Sequence, residues 1–184
     1  MNKTLMIIIA IVVIIGGMFV SSYNGLVSMN ENVNGKWAQV ENQLQRRNDL
    51  VPNLVNTVKG FAAHETEVFT AVADARAKLG GAKTVAETSA ANNELNSALS
   101  RLLMVAESYP ELKSSANFIQ LQDELAGTEN RIAVARMDYN NAVQSYNAQI
   151  KSLPTSLYAG MFGFTAKDFF KADDNAKKVP QVQF

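Results

Sequence analysis

The sequence predicts an all-α protein: an N-terminal transmembrane helix followed by an antiparallel, up-and-down four-helix bundle. Three observations point there. From Leu5 through Val20 the chain is an unbroken apolar run, with a single cation, Lys3, ahead of it. Beyond that run the apolar residues step by four and three, the seam of helices packed nearly parallel or antiparallel, and strand-like alternation is missing. Prolines stand only at positions 52, 110, 154 and 180, which leaves long stretches free to remain helical.

The anchor, residues 1–22, comes first. At about 1.5 Å per residue the apolar run covers roughly 25 Å, slightly less than the ~30 Å hydrocarbon layer. Ser21, Ser22 and Tyr23 carry the helix into the headgroup zone, where tyrosine is favoured. A cleaved signal peptide is the competing reading, with Val20-x-Ser22 as a passable cleavage signal. The run exceeds the ~7–15 residues usual for such a segment, and no Ala-x-Ala precedes a plausible cut, so a retained anchor in the lipid bilayer is expected. Lys3 and the α-amino group lie on one side of the run, and the next cation is Lys36. The bias of cations toward the cytoplasm then leaves the N-terminus inside and the body on the extracytoplasmic side.

The body, residues 23–172, follows. Val33, Trp37, Val40, Leu44, Val51, Leu54, Val58 and Phe61 form the seam of the first body helix, which either breaks near Gly60 or continues in phase across it. Pro52 cannot donate to the carbonyl of Asn48, so a kink is expected there. Val68, Val72, Ala75 and Leu79 mark a second helix, stopped by Gly80-Gly81. Leu95, Leu99, Leu102 and Ala106 mark a third, stopped by Ser108-Tyr109-Pro110. The longest seam runs through Phe118, Leu121, Leu125, Thr128, Ile132, Ala135, Tyr139, Ala142 and Tyr146.

After Pro154 comes an aromatic segment: Leu157, Tyr158, Met161, Phe162, Phe164, Phe169 and Phe170. The last helix of such a bundle returns to the membrane, so this segment either caps the open base of the bundle or docks on the bilayer surface or a membrane partner. The tail, residues 173–184, with two lysines and Pro180, reads as disordered.

Composition excludes several functions. Seventeen basic and seventeen acidic residues cancel, which argues against nucleic acid as a partner and against an electrostatic grip on anionic lipid. Without cysteine there is no disulfide, thiolate metal site or thiol nucleophile. No phosphate-binding glycine loop or nucleophile elbow occurs. His64-Glu65 opens like a zinc-protease motif, but Val68 stands where the second histidine must fall. The acids Asp123, Glu124, Glu129 and Asp138 lack the histidine spacing of a di-iron bundle. No cofactor, metal or catalytic residue is therefore expected.

One polar residue interrupts the first seam: between Leu44 and Val51 the stepping passes through Arg47. A guanidinium in a core is costly unless it is paired and fully hydrogen-bonded. With the first and last body helices antiparallel, Arg47 is expected opposite Ala135, with Glu129 or Asp138 supplying the carboxylate. Such a layer serves either as a register pin for the bundle or as a ligand site. Tyr139-Asn140 and Tyr146-Asn147 repeat at seven residues. They read either as seam tyrosines beside asparagines that satisfy polar groups, or as a polar, aromatic groove for a peptide or glycan.

Particular blocks carry a further signal: Tyr23-Asn24-Gly25-Leu26-Val27, Trp37, and Gln43 through Val55 with its Arg-Arg-x-Asp-Leu-x-Pro-Asn-Leu core. His64-Glu65, Asn117-Phe118, Leu121-Gln122, Glu124-Leu125, Glu129 through Arg136, the two Tyr-Asn pairs, Pro154 and Phe169-Phe170 belong with them. On these residues the chain closely resembles the LemA family over nearly its whole length. The resemblance implies a bacterial membrane protein with one N-terminal transmembrane helix and a helical-bundle body, sited in the cytoplasmic (inner) membrane. It implies no enzyme. Similar proteins are linked to membrane metalloproteases or other small membrane-anchored domains, which implies an accessory role. Family descriptions place the short N-terminus outside the cell, opposite to the reading from Lys3, which is retained here.

Arg46, Arg47, Asp49, Asn117, Glu129 and Arg136 fall in the family-like blocks, and with Tyr139 they are the candidate binding residues. The function expected is a non-enzymatic, membrane-anchored scaffold or adaptor that presents a bundle surface to membrane or envelope proteins. The alternative is a binding module for a small molecule, peptide or glycan at the Arg47 layer. The sequence specifies no oligomeric state.

Overall fold

A computed structural model describes residues 3–171, and no strand occurs among the described residues. The expected tail, residues 173–184, lies outside them. The apolar run and the first body helix are one element: α1, Lys3–Lys59, is a single helix of 57 residues, about 85 Å long. Its apolar N-terminal window is wholly unburied, and it is the one described helix long and apolar enough to cross a membrane. Burial begins at Leu26 and then follows the expected seam through Val33, Val40, Leu44, Arg47, Val51, Leu54 and Val58. The helix runs on across Pro52, so the expected kink does not interrupt it. The carbonyl that Pro52 leaves without a helical donor, that of Asn48, instead accepts from Arg76 Nε at 3.2 Å. The open question at Gly60 resolves as a break, because the helix ends at Lys59 and a short loop leads to Thr66.

The second helix, α2 (Thr66–Gly81), includes both glycines as its last residues, and extended Ala82 rather than Gly80 ends it. One short turn later α3 (Val85–Glu107) opens with a reciprocal cap. The Thr84 hydroxyl accepts from the Glu87 N–H at 3.2 Å, and the Glu87 carboxylate accepts from the Thr84 N–H at 3.1 Å. The Lys83 N–H and then the Thr84 N–H, both donating to the Glu87 carboxylate, hold that carboxyl below its ordinary range. A one-turn helix, α4 (Pro110–Lys113), is an addition the seam pattern did not contain; Pro110 fits its first turn, where no N–H is needed. The long return helix is α5 (Ala116–Lys151). Two short 3₁₀ turns, Thr155–Leu157 and Gly160–Phe162, lead into an irregular segment, residues 164–171.

The closest helix pairs are α1 with α5 and α2 with α3, each antiparallel, so the body runs up, down, up, down as the seams predict. The register differs from expectation. Lys36 Nζ meets Asp138 at 2.9 Å and Arg47 meets Glu129 at 2.8 Å, which sets Arg47 beside residues 128–129 and not opposite Ala135. The error is one heptad. A shift of seven residues returns every apolar seam position onto another, so apolar stepping fixes the face and leaves the register to polar pairs.

The base of the bundle is aromatic. Phe19 packs on Tyr158 with ring centroids 4.7 Å apart, and Tyr23 packs on Phe162 at 5.3 Å and Phe164 at 5.7 Å. The segment after Pro154 thus caps the base against α1, while Leu153, Leu157 and Met161 remain exposed, at 77%, 72% and 83%.

Candidate functional site

Arg47 is 3% exposed and sits where α1, α3 and α5 meet. Its Nη1 donates to Glu129 Oε2 at 2.8 Å and to Asn92 Oδ1 at 3.1 Å, and its Nη2 donates to Asn96 Oδ1. Burial pulls the guanidinium below its ordinary value; the Glu129 carboxylate opposes this, and the charge of Arg136 adds to it. Because the Glu129 side chain is 46% exposed, one partner of the buried cation stays wet. Asp138, the other carboxylate considered, belongs to Lys36.

The sequence reading missed Asn92 and Asn96, although a signal was there. Thr88, Asn92, Leu95, Leu99, Leu102 and Ala106 step by four and three, so Asn92 is to the α3 seam what Arg47 is to that of α1. Two polar interruptions on facing seams are natural partners.

A groove of about 480 Å³, a size that suits a small ligand, opens between α3 and α5. Leu54, Leu99, Leu103 and Leu125 line it together with Arg47 and Glu129, whereas Tyr139 does not reach it. The remaining candidates are dispersed. Arg46 borders a hollow on another face with Asp123, Glu124 and Arg131. Asp49 is exposed and accepts from Gln45 at 2.8 Å, and Asn117 is exposed in the first turn of α5. Among the described residues no three His, Asp or Glu side chains gather as metal ligands.

Arg136 and Tyr139 belong to a second constellation, built on the Tyr-Asn repeat. Residues 164–171 lie along α5, held by their main chain. Asn147 accepts from the Lys167 N–H and donates to the Lys167 carbonyl, both at 2.9 Å. Asn140 does the same to Phe170, at 2.9 and 3.0 Å. The Tyr139 hydroxyl donates to the Asp168 carbonyl at 2.8 Å; burial, and then the nearby Asp168 carboxylate, push its ionisation up to about 12. Ser89 on α3 and Arg136 both donate to the Lys171 carbonyl, at 2.7 and 3.4 Å. Phe170 is buried beside Trp37, 6.3 Å between centroids, with the Arg136 guanidinium 4.3 Å above its ring. Tyr139 and Tyr146 are thus buried on the seam, and the asparagines beside them pair with polar groups of the chain's own segment.

The LemA family matches residues 36–184. Magnetosome protein MamQ 2 of Paramagnetospirillum magneticum (strain ATCC 700264 / AMB-1) is 29% identical over 87% of this chain and 70% of its own length. Magnetosome protein MamQ of Magnetospirillum gryphiswaldense is 28% identical over the same shares. Protein LemA of Metamycoplasma hominis is 22% identical over 85% of this chain and 72% of its own. With four-fifths of its residues under the family match, this membrane-associated helical chain belongs to the LemA family.

Proposed function

We propose that the protein is a non-enzymatic, membrane-anchored scaffold or adaptor. Residues 1–22 form the anchor, and the bundle of residues 23–172 presents a surface to other membrane or envelope proteins. The observation that carries this reading is the continuity of α1: no linker separates the apolar segment from the body. A rigid stem fixes the orientation and height of the body above the membrane, which a diffusible binding module does not need. Apart from the buried Asn92 Nδ2, the polar side chains at the two constellations are engaged in pairings that hold helices and chain together, and the reading includes no chemical step. The aromatic base, with Leu153, Leu157 and Met161 exposed beside the Phe19 turn, supports a foot at the bilayer interface. The single cation Lys3 supports a body on the extracytoplasmic side of a bacterial inner membrane.

Companions of the kind the family resemblance implies, membrane metalloproteases among them, are the first to seek. Proximity labelling from the body and purification in gentle detergent should return the same specific companion, and recovery of none by either method ends this reading. Single cysteines at Glu107 and Gln120, introduced into the cysteine-free chain, should react with an impermeant maleimide on intact cells. Labelling only after lysis reverses the topology and directs the search to cytoplasmic companions.

A second reading has one observation in its favour, the 480 Å³ groove that includes Arg47 and Glu129. An amphipathic ligand with an anionic or amide end would suit it. Thermal stabilisation by such a ligand that is lost in Asn96→Leu would favour this reading over the scaffold.

A further inference from the structure

The hold on residues 164–171 is unusual in what it touches. Asn147, Asn140, Tyr139, Ser89 and Arg136 all bond main-chain atoms of the segment. Of its side chains only that of Phe170 is buried; Thr165, Ala166, Asp168, Phe169 and Lys171 are exposed. A segment that belonged wholly to the core would bury most of its side chains, whereas this one is held mainly through its backbone, with Phe170 buried as its anchor and Phe164 half-buried against Tyr23 at its start.

The spacing of the asparagines explains how. Residues 140 and 147 lie two helical turns apart, about 10.5 Å along α5. Their targets, Phe170 and Lys167, are three residues apart, and three residues of extended chain cover about 10 Å. The seven-residue repeat is thus a ruler matched to extended backbone, with one primary amide meeting the N–H and C=O of every third residue. Such recognition tolerates most sequences, because every residue but proline offers the same pair of groups. Specificity is left to the place between Trp37 and the Arg136 guanidinium, which suits an aromatic ring.

We propose that this face of α5, completed by Trp37 and Ser89, is a binding site for an extended peptide segment of a partner protein that carries one aromatic anchor, with residues 164–171 as its resident occupant. The proposal rests on the adaptor reading and names the chemistry of the partner. A tethered occupant competes at an effective concentration in the millimolar range, so a partner segment meets a site that is open only part of the time. Loosening the resident must therefore tighten binding of the visitor.

The test uses the full-length protein in nanodiscs and a fluorescein-labelled peptide with the sequence of residues 164–171. Phe170→Ala in the protein empties the anchor position without touching α5. This variant should bind the peptide at least tenfold more tightly than the wild type by fluorescence anisotropy. The same peptide with alanine in place of its third phenylalanine, the one that corresponds to Phe170, should not bind. Adding Asn140→Ala and Asn147→Ala to the Phe170→Ala protein should abolish binding. Trp37 is the sole tryptophan, so its emission should change on Phe170→Ala and return when peptide is added.

A folded Phe170→Ala protein that takes up no peptide, or whose Trp37 emission ignores it, overturns the proposal. If that variant does not fold, Lys167→Pro, which removes one N–H held by Asn147, carries the same expectations. Wild-type dimers that cross-link segment to groove between copies would overturn the assignment to a separate partner and give the site to a second copy. The adaptor reading fails separately. A companion retained equally by the wild type and by Asn140→Ala/Asn147→Ala sinks the peptide site and leaves the adaptor standing, whereas peptide binding without any cellular companion does the reverse.

Discussion

Arg47 shows how much one seam position can specify. A cation 3% exposed must be paired from more than one direction, and it is, by Glu129, Asn92 and Asn96. Removing a partner and removing the charge therefore have different consequences. Glu129→Ala leaves a buried guanidinium short of its counterion and should cost about 1–3 kcal/mol, less than a fully buried pair because the carboxylate is half wet. Arg47→Met combined with Asn92→Leu, which replaces the buried part of the layer with apolar volume, should stay within about 1 kcal/mol of the wild type. Chemical denaturation of the three proteins checks both, and equal losses for the two variants would show that the charge itself stabilises the bundle. Half of this layer was legible: Arg47 and Glu129 stand out from sequence, but the α3 asparagines do not, because asparagine on a short helix also reads as a surface residue. Tyr139 gives the second residue-scale prediction. Its hydroxyl ionises near 12 when folded and near 10 when unfolded, so the unfolded state loses its proton first as pH rises. The stabilisation is complete below pH 10 and is lost between pH 10 and 12. Thermal denaturation at pH 9 and pH 11 should show a smaller alkaline loss in Tyr139→Phe than in the wild type.

At the scale of the element, Pro52 is the informative break of a rule. Proline inside a helix removes a donor, and α1 still runs on because Arg76 of α2 donates to the freed Asn48 carbonyl. The arrangement is testable as a cycle. Arg76→Ala should cost about 0.5–1.5 kcal/mol where residue 52 is proline and close to nothing in a Pro52→Ala background, where the helix supplies its own donor. Equal costs in both backgrounds would mean that Arg76 acts elsewhere. The pairing explains why the elements were legible and their arrangement was not. Apolar stepping and stop signals placed all the long helices, since these follow from local periodicity, but left the break after Lys59 open because the seam stays in phase across it. The contacts that lock one helix to another come from Arg76, Lys36 and Asp138, surface-like residues whose partners lie 28 or 102 positions away and leave no local pattern. The strap on α5 was hidden for the same reason. The Tyr-Asn repeat read either as seam residues satisfying polar groups or as a groove, and nothing in residues 164–171 alone marks them as its partner.

For the whole molecule, the decisive feature is that the apolar N-terminal run and the longest strut of the body are one continuous helix. From Tyr23 to Lys59 the helix rises about 55 Å, so the loop that holds His64 stands far from the bilayer if α1 keeps its axis near the membrane normal. The opposite end is the aromatic foot, where Phe19, Tyr158 and Phe162 meet and Met161 is left exposed. These positions make a ruler for the assembled protein. A donor fluorophore on His64→Cys in nanodiscs should transfer little energy to acceptors at the lipid surface, as expected for about 55 Å, while the same donor on Met161→Cys should be strongly quenched. Met161 should also be reached by a quencher carried in the acyl chains and poorly by one in water. If the two sites transfer equally, the body lies along the membrane and the stem bends where the helix is drawn continuous. A partner would then meet a different face, because an upright body offers α2 and α3 from the side and a reclining one hides whichever helix pair faces the lipid.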